Sequence, residues 1–231
     1  MEFQLPRNIV VEGPIGVGKT TLAESLAKRL NARLLLEKFE DNPFLPLFYK
    51  DPERYALQTE LSFLISRFHQ QESYRQEELF STHTLSDYLF SKCALFASLT
   101  LGGRELQLFE EVYRVLERSI PHPDLVIHLQ APVNVLLQRI QHRGRAYEKE
   151  ISADYLEQLC NLYYREFSSQ TLYPVISLDT TAIDFRKSEH IDRLMMLIES
   201  RQRGWIKPEQ FLEFSRKTVP NNWELPLSAI S

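Results

Sequence analysis

Residues 13–21, Gly13-Pro14-Ile15-Gly16-Val17-Gly18-Lys19-Thr20-Thr21, match G-x-x-x-x-G-K-[ST] in full, and few short stretches constrain a fold more tightly. The flanks agree with the motif. Asn8-Ile9-Val10-Val11 is a short β-branched run of the kind that forms a buried strand, and Leu22, Leu26 and Leu30 recur at helical spacing. Strand, loop and helix in this order predict a phosphate-binding loop in an open α/β sheet. Glycines let such a loop turn its backbone N–H groups inward around a phosphate chain. Lys19 would add positive charge at the β- and γ-phosphates, Thr20 a hydroxyl for Mg²⁺, and the new helix its positive dipole end. The expected ligand is a nucleoside triphosphate.

A chain of 231 residues suits one α/β domain with a sizeable core. With 43% hydrophobic and 25% charged residues it has globular rather than disordered composition. A net charge of −4 argues against sequence-independent binding to nucleic acid, which needs a basic face. Met1 to Arg7 hold no signal-peptide core, and no apolar run approaches membrane-spanning length. Cys93 and Cys160 form neither a zinc pattern nor a disulfide framework, which predicts reduced thiols. The expectation is a soluble cytoplasmic protein with no nucleic-acid or membrane partner.

Further strand-like runs lie at Arg33–Leu36, His83–Leu85, Leu125–Leu129 and Val175–Leu178, with helical stretches between them. This alternation predicts a parallel sheet of about five strands with helices on both faces. Asp51-Pro52-Glu53 reads as an N-cap, a first-turn proline and an acid that suits the dipole. The helix it opens is expected to bury Leu57, Leu61, Leu64, Ile65 and Phe68. Other helices are expected near 106–118 and 153–167. Residues 1–204 read as the domain. Residues 205–231, with Pro208, Pro220, Trp223 and Pro226, read as an extension of unassigned role.

In such a sheet ligands sit beyond the carboxyl ends of the strands. Glu37 follows the second strand run and Asp87 the third. A hydroxyl nucleophile needs a carboxylate to take its proton, and the metal needs an oxygen ligand besides Thr20; Glu37 and Asp87 suit those two tasks. Arg139, Arg143 and Arg145 then crowd a span that includes Gly144 and ends at Glu148. In a phosphoryl-transfer fold this predicts a lid whose guanidiniums stabilise charge on the transferring group.

With these residues in place, the chain resembles the deoxynucleoside kinase family over about residues 8–200. The likeness rests on the phosphate loop, on Tyr49-Lys50-Asp51-Pro52-Glu53-Arg54-Tyr55, on Leu64-Ile65-Ser66-Arg67, on Arg139-Ile140 through Arg143-Gly144-Arg145 to Glu148, and on Leu178-Asp179 to Asp184-Phe185. The resemblance implies an α/β P-loop kinase fold with an arginine-rich lid, ATP and Mg²⁺ as cofactors, a nucleoside substrate and a homodimer. It also implies Glu37 as general base for the 5′-hydroxyl, and Tyr49 with Glu148 as the pair on the 3′-hydroxyl. Arg139, Arg143 and Arg145 become lid arginines, and Asp184-Phe185 borders the nucleotide's base.

Departures from the family pattern are equally specific. Ser86-Asp87-Tyr88-Leu89 keeps the acid after the third strand but lacks the arginine that usually follows, and Lys92-Cys93-Ala94 stands near the place of a missing Asp-Arg pair. Where many members read the base with a glutamine, this chain has Glu60. An ionised carboxylate only accepts hydrogen bonds, so it suits guanine's adjacent ring N–H and amino group, or a pterin-like ring with the same edge. Glu60 turned to solvent, or paired with Arg67, is the alternative. Three functions stay open: ATP-dependent 5′-phosphorylation of a deoxynucleoside, with a purine and in particular deoxyguanosine favoured; a P-loop kinase of another small substrate such as a nucleoside monophosphate or a pterin-like alcohol; and a non-catalytic nucleotide-binding assembly module.

Overall fold

The computed structural model describes residues 5–77, 83–145, 148, 151–200, 204–206 and 211–212. Six parallel strands form one sheet: β1 (Asn8–Glu12), β2 (Arg33–Leu35), β3 (Thr84–Ser86), β4 (Leu125–Gln130), β5 (Val175–Asp179) and β6 (Gly204–Ile206), in the order β2-β3-β1-β4-β5-β6. The five expected strands are all present, each end within one residue of its expected place. The sixth, at the edge beside β5, was not expected.

The helices are α1 (Lys19–Leu30), α2 (Leu45–Phe48), α3 (Pro52–Glu77), α4 (Lys92–Thr100), α5 (Gly103–Glu117), α6 (Val133–Arg143), α7 (Ala153–Ser169) and α8 (Ser188–Glu199). A strand's period of two sends alternate side chains to opposite faces. Ile9 and Val11 pack with Leu22, Leu26 and the α8 residues Leu194 and Ile198, while Val10 between them joins Leu159, Tyr163 and Phe167 of α7. Both faces of the sheet are therefore covered, and burial of each such side chain is worth about 1.5–3 kcal/mol. A third cluster, Leu64, Cys93, Ala97, Phe109 and Tyr113, ties α3, α4 and α5 together.

Asp51 accepts a hydrogen bond from the Arg54 N–H at 3.3 Å and opens α3 as expected. The buried face is narrower than expected. Leu64 is buried and Leu57, Leu61 and Phe68 pack partly, but Ile65 is 47% exposed, because one residue past Leu64 rotates about 100° off the stripe. The sheet continues past residue 204 through β6, and Phe211 is fully buried in the main core. Pro208, Pro220, Trp223 and Pro226 of the extension, and Ala146 and Tyr147 of the lid motif, lie outside the described residues.

β1 lies between β3 and β4, so the chain leaves β1 toward one side of the sheet and β3 toward the other. A crevice opens beyond their carboxyl ends, the usual ligand position in such sheets. Among the described residues no helix is long and apolar enough to cross a membrane.

Candidate active site

A cavity of about 930 Å³ occupies this crevice and brings together the phosphate loop, Glu37, Asp87, Glu60 and the lid arginines. The loop has the shape its glycines permit. Gly13 and Gly16 sit at φ 148° and 83°, and a Cβ would lie 2.3 Å from the Leu129 carbonyl oxygen at the first and 2.9 Å from Ile140 Cγ1 at the second. Val17 N–H closes the turn on the Pro14 carbonyl at 3.3 Å, and α1 starts at Lys19, aiming its N-terminus at the loop. Ile15, Gly18, Thr20 and Thr21 complete the wall.

Glu12, the last residue of β1, anchors the loop from beneath. Its fully buried carboxylate accepts from the Gly13 N–H at 2.9 Å, the Leu89 N–H at 2.8 Å and the Tyr163 hydroxyl at 2.9 Å. It thereby links the loop to the segment after β3 and to α7. Sequence reasoning missed it, although a charged residue ending an apolar strand run is a visible anomaly.

Lys19 folds back on its own loop, its Nζ donating to the Gly13 carbonyl at 2.8 Å and the Pro14 carbonyl at 3.1 Å. Burial, and next the charge of Lys92, lower its pKa to about 8. Thr20 Oγ1 donates to Asp87 Oδ2 at 2.6 Å, and Asp87 Oδ1 accepts the Glu37 N–H at 2.8 Å. Thr20 and Asp87 thus present two hard oxygens side by side. Among the described residues no three acidic, histidine or cysteine side chains group as metal ligands. The Thr20–Asp87 pair fits Mg²⁺, which binds through one or two protein oxygens and fills its remaining positions with phosphate and water.

Glu37 is gripped by two buried cations. Arg67 Nε donates to Oε1 at 2.9 Å and its Nη2 makes a very short contact to the same oxygen, while Lys92 Nζ donates to Oε2 at 2.7 Å. These cations overcome the effect of burial and hold its pKa well below the usual carboxylate range. Arg67 also reaches Cys93 Sγ at 3.0 Å. The alternative pairing of Glu60 with Arg67 is therefore not formed.

Glu60 is 3% exposed and lines the cavity, so it does not face solvent either. The Thr100 hydroxyl lies 2.9 Å from its Oε1 and 3.0 Å from the Phe96 carbonyl. One hydroxyl proton serves one acceptor at a time, so Thr100 can donate to an ionised Glu60 or accept from a protonated one. Burial pushes the Glu60 pKa up to about 7. Tyr49 and Tyr155 line the same cavity, and the Tyr155 hydroxyl is raised beyond the usual range, mainly by burial.

The lid residues divide. Arg139 is held in place, donating to Thr180 Oγ1 at 2.9 Å, to the Thr180 carbonyl at 2.8 Å and to the Val17 carbonyl at 3.3 Å. It braces the loop against the end of β5. Arg143 donates through Nε to Glu148 Oε2 at 3.0 Å, and Arg145 lies 3.5 Å from Glu148 Oε1 with its guanidinium 4.2 Å from the centre of the Phe39 ring. Glu148, expected at the 3′-hydroxyl beside Tyr49, is here the resting partner of two lid arginines. Asp184 is bound by Arg186 at 2.8 and 3.0 Å, and Phe185 is 4% exposed, on the cavity wall but packed into the core.

Arg67, Lys92 and Thr100 are site residues that sequence reasoning did not assign. Arg67 was detectable, since seven residues from Glu60 on one helix means nearly the same face. Lys92 and Thr100 open and close α4, and nothing local marks them.

Comparison with known proteins agrees with this geometry. A family model described as Deoxynucleoside kinase matches residues 9–201. The chain is 38% identical to a deoxyguanosine kinase of Bacillus subtilis (strain 168) over 156 residues, covering 67% of this chain and 75% of the relative. It is 29% identical to the deoxyadenosine/deoxycytidine kinase of the same organism over 216 residues, or 87% and 99% of the two chains. The structure of a deoxyadenosine kinase from M. mycoides with products dCMP and dCDP bound superposes with a TM-score of 0.70 at 21% identity, covering 83% of this chain and 98% of the other. That likeness shows a shared fold.

Proposed function

This chain belongs to the deoxynucleoside kinase family, and from that premise we propose that it transfers the γ-phosphoryl group of ATP to the 5′-hydroxyl of a purine deoxynucleoside, preferring deoxyguanosine. The observation that carries the reading is the single cavity that holds a phosphate loop, a carboxylate for the 5′-hydroxyl and a buried carboxylate for the base.

ATP binds with its triphosphate in the loop, and Lys19 exchanges the Gly13 and Pro14 carbonyls for phosphate oxygens. Thr20 and Asp87 would hold Mg²⁺, whose charge offsets that of the β- and γ-phosphates. Glu37 accepts the 5′-hydroxyl proton as the oxygen attacks phosphorus. Tyr49 and Glu148 hold the 3′-hydroxyl, Asp184-Phe185 borders the base of ATP, and Arg143 and Arg145 leave Glu148 for the triphosphate as the lid closes. Arg139 keeps the loop in register. The protein works in the cytoplasm as a homodimer. Leu108 and Val115, seven residues apart on α5 and 48% and 67% exposed, offer apolar surface for a second copy.

Base selection rests on Glu60. As an anion it accepts from guanine's ring N–H and amino group, whereas adenine sets a ring lone pair against it. A bidentate pair of this kind discriminates by about 1–3 kcal/mol. The Glu60 pKa is raised to about 7, so the acceptor-only form is gained as pH rises through that value. In competition among the four deoxynucleosides, deoxyguanosine should lead, and its lead over deoxyadenosine should widen between about pH 6 and pH 8. In Glu60→Gln deoxyguanosine should lose ground to deoxyadenosine or deoxycytidine, and the pH dependence should vanish. The same ranking in parent and variant at both pH values would remove Glu60 from base selection.

A further inference from the structure

The geometry points to Lys92 as a further catalytic residue, one that holds Glu37 and donates a second N–H to the transferring phosphoryl group and the 5′-oxygen. This rests on the proposed 5′-phosphorylation. Lys92 is the first residue of α4, its side chain is 7% exposed, and it lines the cavity. Among the described residues its ammonium makes one hydrogen bond, to Glu37 Oε2 at 2.7 Å, and the Phe96 ring centre lies 5.4 Å from its Nζ. An ammonium carries three donors. With one of these on Glu37, two remain for acceptors within the cavity that Lys92 lines. An incoming phosphoryl oxygen supplies them.

Charge supports the same assignment. Glu37 already has Arg67, which alone neutralises it, so Lys92 leaves this group of three side chains with a net positive charge. Lys92 is also close enough to Lys19 to rank after burial among the causes that depress the Lys19 pKa. Two ammoniums so placed on the wall of one cavity fit an anion. Lys19 belongs to the phosphate loop and Lys92 to the base that activates the nucleophile. A cation from the first turn of α4 thus stands at the base.

In the step itself the 5′-oxygen forms a bond to the γ-phosphorus as the bond from that phosphorus to the β,γ-bridging oxygen breaks. The bond's electron pair leaves on ADP, and the hydroxyl proton passes to Glu37. Lys92 keeps its protons throughout. Its N–H groups offset the negative charge on the transferring oxygens and turn the basic oxygen of Glu37 toward the hydroxyl.

The test compares parent, Lys92→Met and Lys92→Arg with ATP, Mg²⁺ and deoxyguanosine, reading kcat and KM for each, with thermal unfolding as a check on folding. Lys92→Met should lower kcat by about 10²-fold or more. KM for the nucleoside should stay within about threefold of the parent value. Lys92→Arg, which keeps the charge, should regain part of kcat. A parent that makes no monophosphate overturns the functional reading and this proposal together. An active parent matched by Lys92→Met, or a folded Lys92→Arg as slow as Lys92→Met, overturns the proposal alone. Should Lys92→Met fail to fold, the Arg variant decides: a folded Lys92→Arg whose kcat falls by the full amount, about 10²-fold or more, overturns it.

Discussion

Replacing Glu37 by glutamine is expected to lower kcat by about 10²–10⁴-fold, the usual cost of losing a general base, with nucleoside affinity nearly unchanged. The amide keeps the size of the side chain and one acceptor oxygen but cannot take a proton. It also leaves Arg67 and Lys92, both buried, without the charge that partners them. Breaking a buried pair in this way costs about 3–5 kcal/mol, so the variant should unfold at a lower temperature than the parent. Rates are therefore to be compared well below that transition, with deoxynucleoside binding measured in the same samples. Turnover within a few-fold of the parent would shift the base role to Asp87, which in this structure is committed to the Thr20 hydroxyl and the Glu37 N–H.

Lys19→Ala should be nearly as damaging to turnover, about 10²–10³-fold, for a different reason and with little effect on stability. The Lys19 ammonium is disfavoured in the folded state, its pKa lowered to about 8 by burial and by Lys92. A lysine lowered in this way opposes folding at neutral pH, where it is charged, and the opposition fades as pH rises through about 8. Removing it deletes that cost along with two hydrogen bonds to loop carbonyls. The unfolding temperature should accordingly change little at pH 7. Activity, measured as nucleoside-dependent ADP release, should fall without loss of fold. Near-normal turnover would take the phosphate loop out of the mechanism.

What could be read in advance follows the range of the interactions. The phosphate loop and β1 were legible because motif, β-branched run and helical spacing are all local to residues 8–30. Glu37 and Asp87 were legible from their places after strands, but the cations around Glu37 come from α3 and α4, 30 and 55 residues away. α4 itself was not expected. Its sequence, Lys-Cys-Ala-Leu-Phe-Ala-Ser-Leu-Thr, has no polar stripe, and Ser91 before it makes no capping hydrogen bond. Lys92 and Thr100 were hidden with it. β6 is only three residues long and opens with glycine, too little for a period of two to register. Glu60 was singled out because it departs from a family pattern, but only tertiary packing shows it buried against Thr100 instead of paired with Arg67.

Phosphoryl transfer to a deoxynucleoside is measured by incubating the full chain with ATP, Mg²⁺ and each deoxynucleoside in turn and quantifying every product. A deoxynucleoside 5′-monophosphate and ADP are expected in equal amounts, formed fastest with deoxyguanosine. ADP with inorganic phosphate and no monophosphate, or no turnover of any deoxynucleoside, would contradict the proposed function.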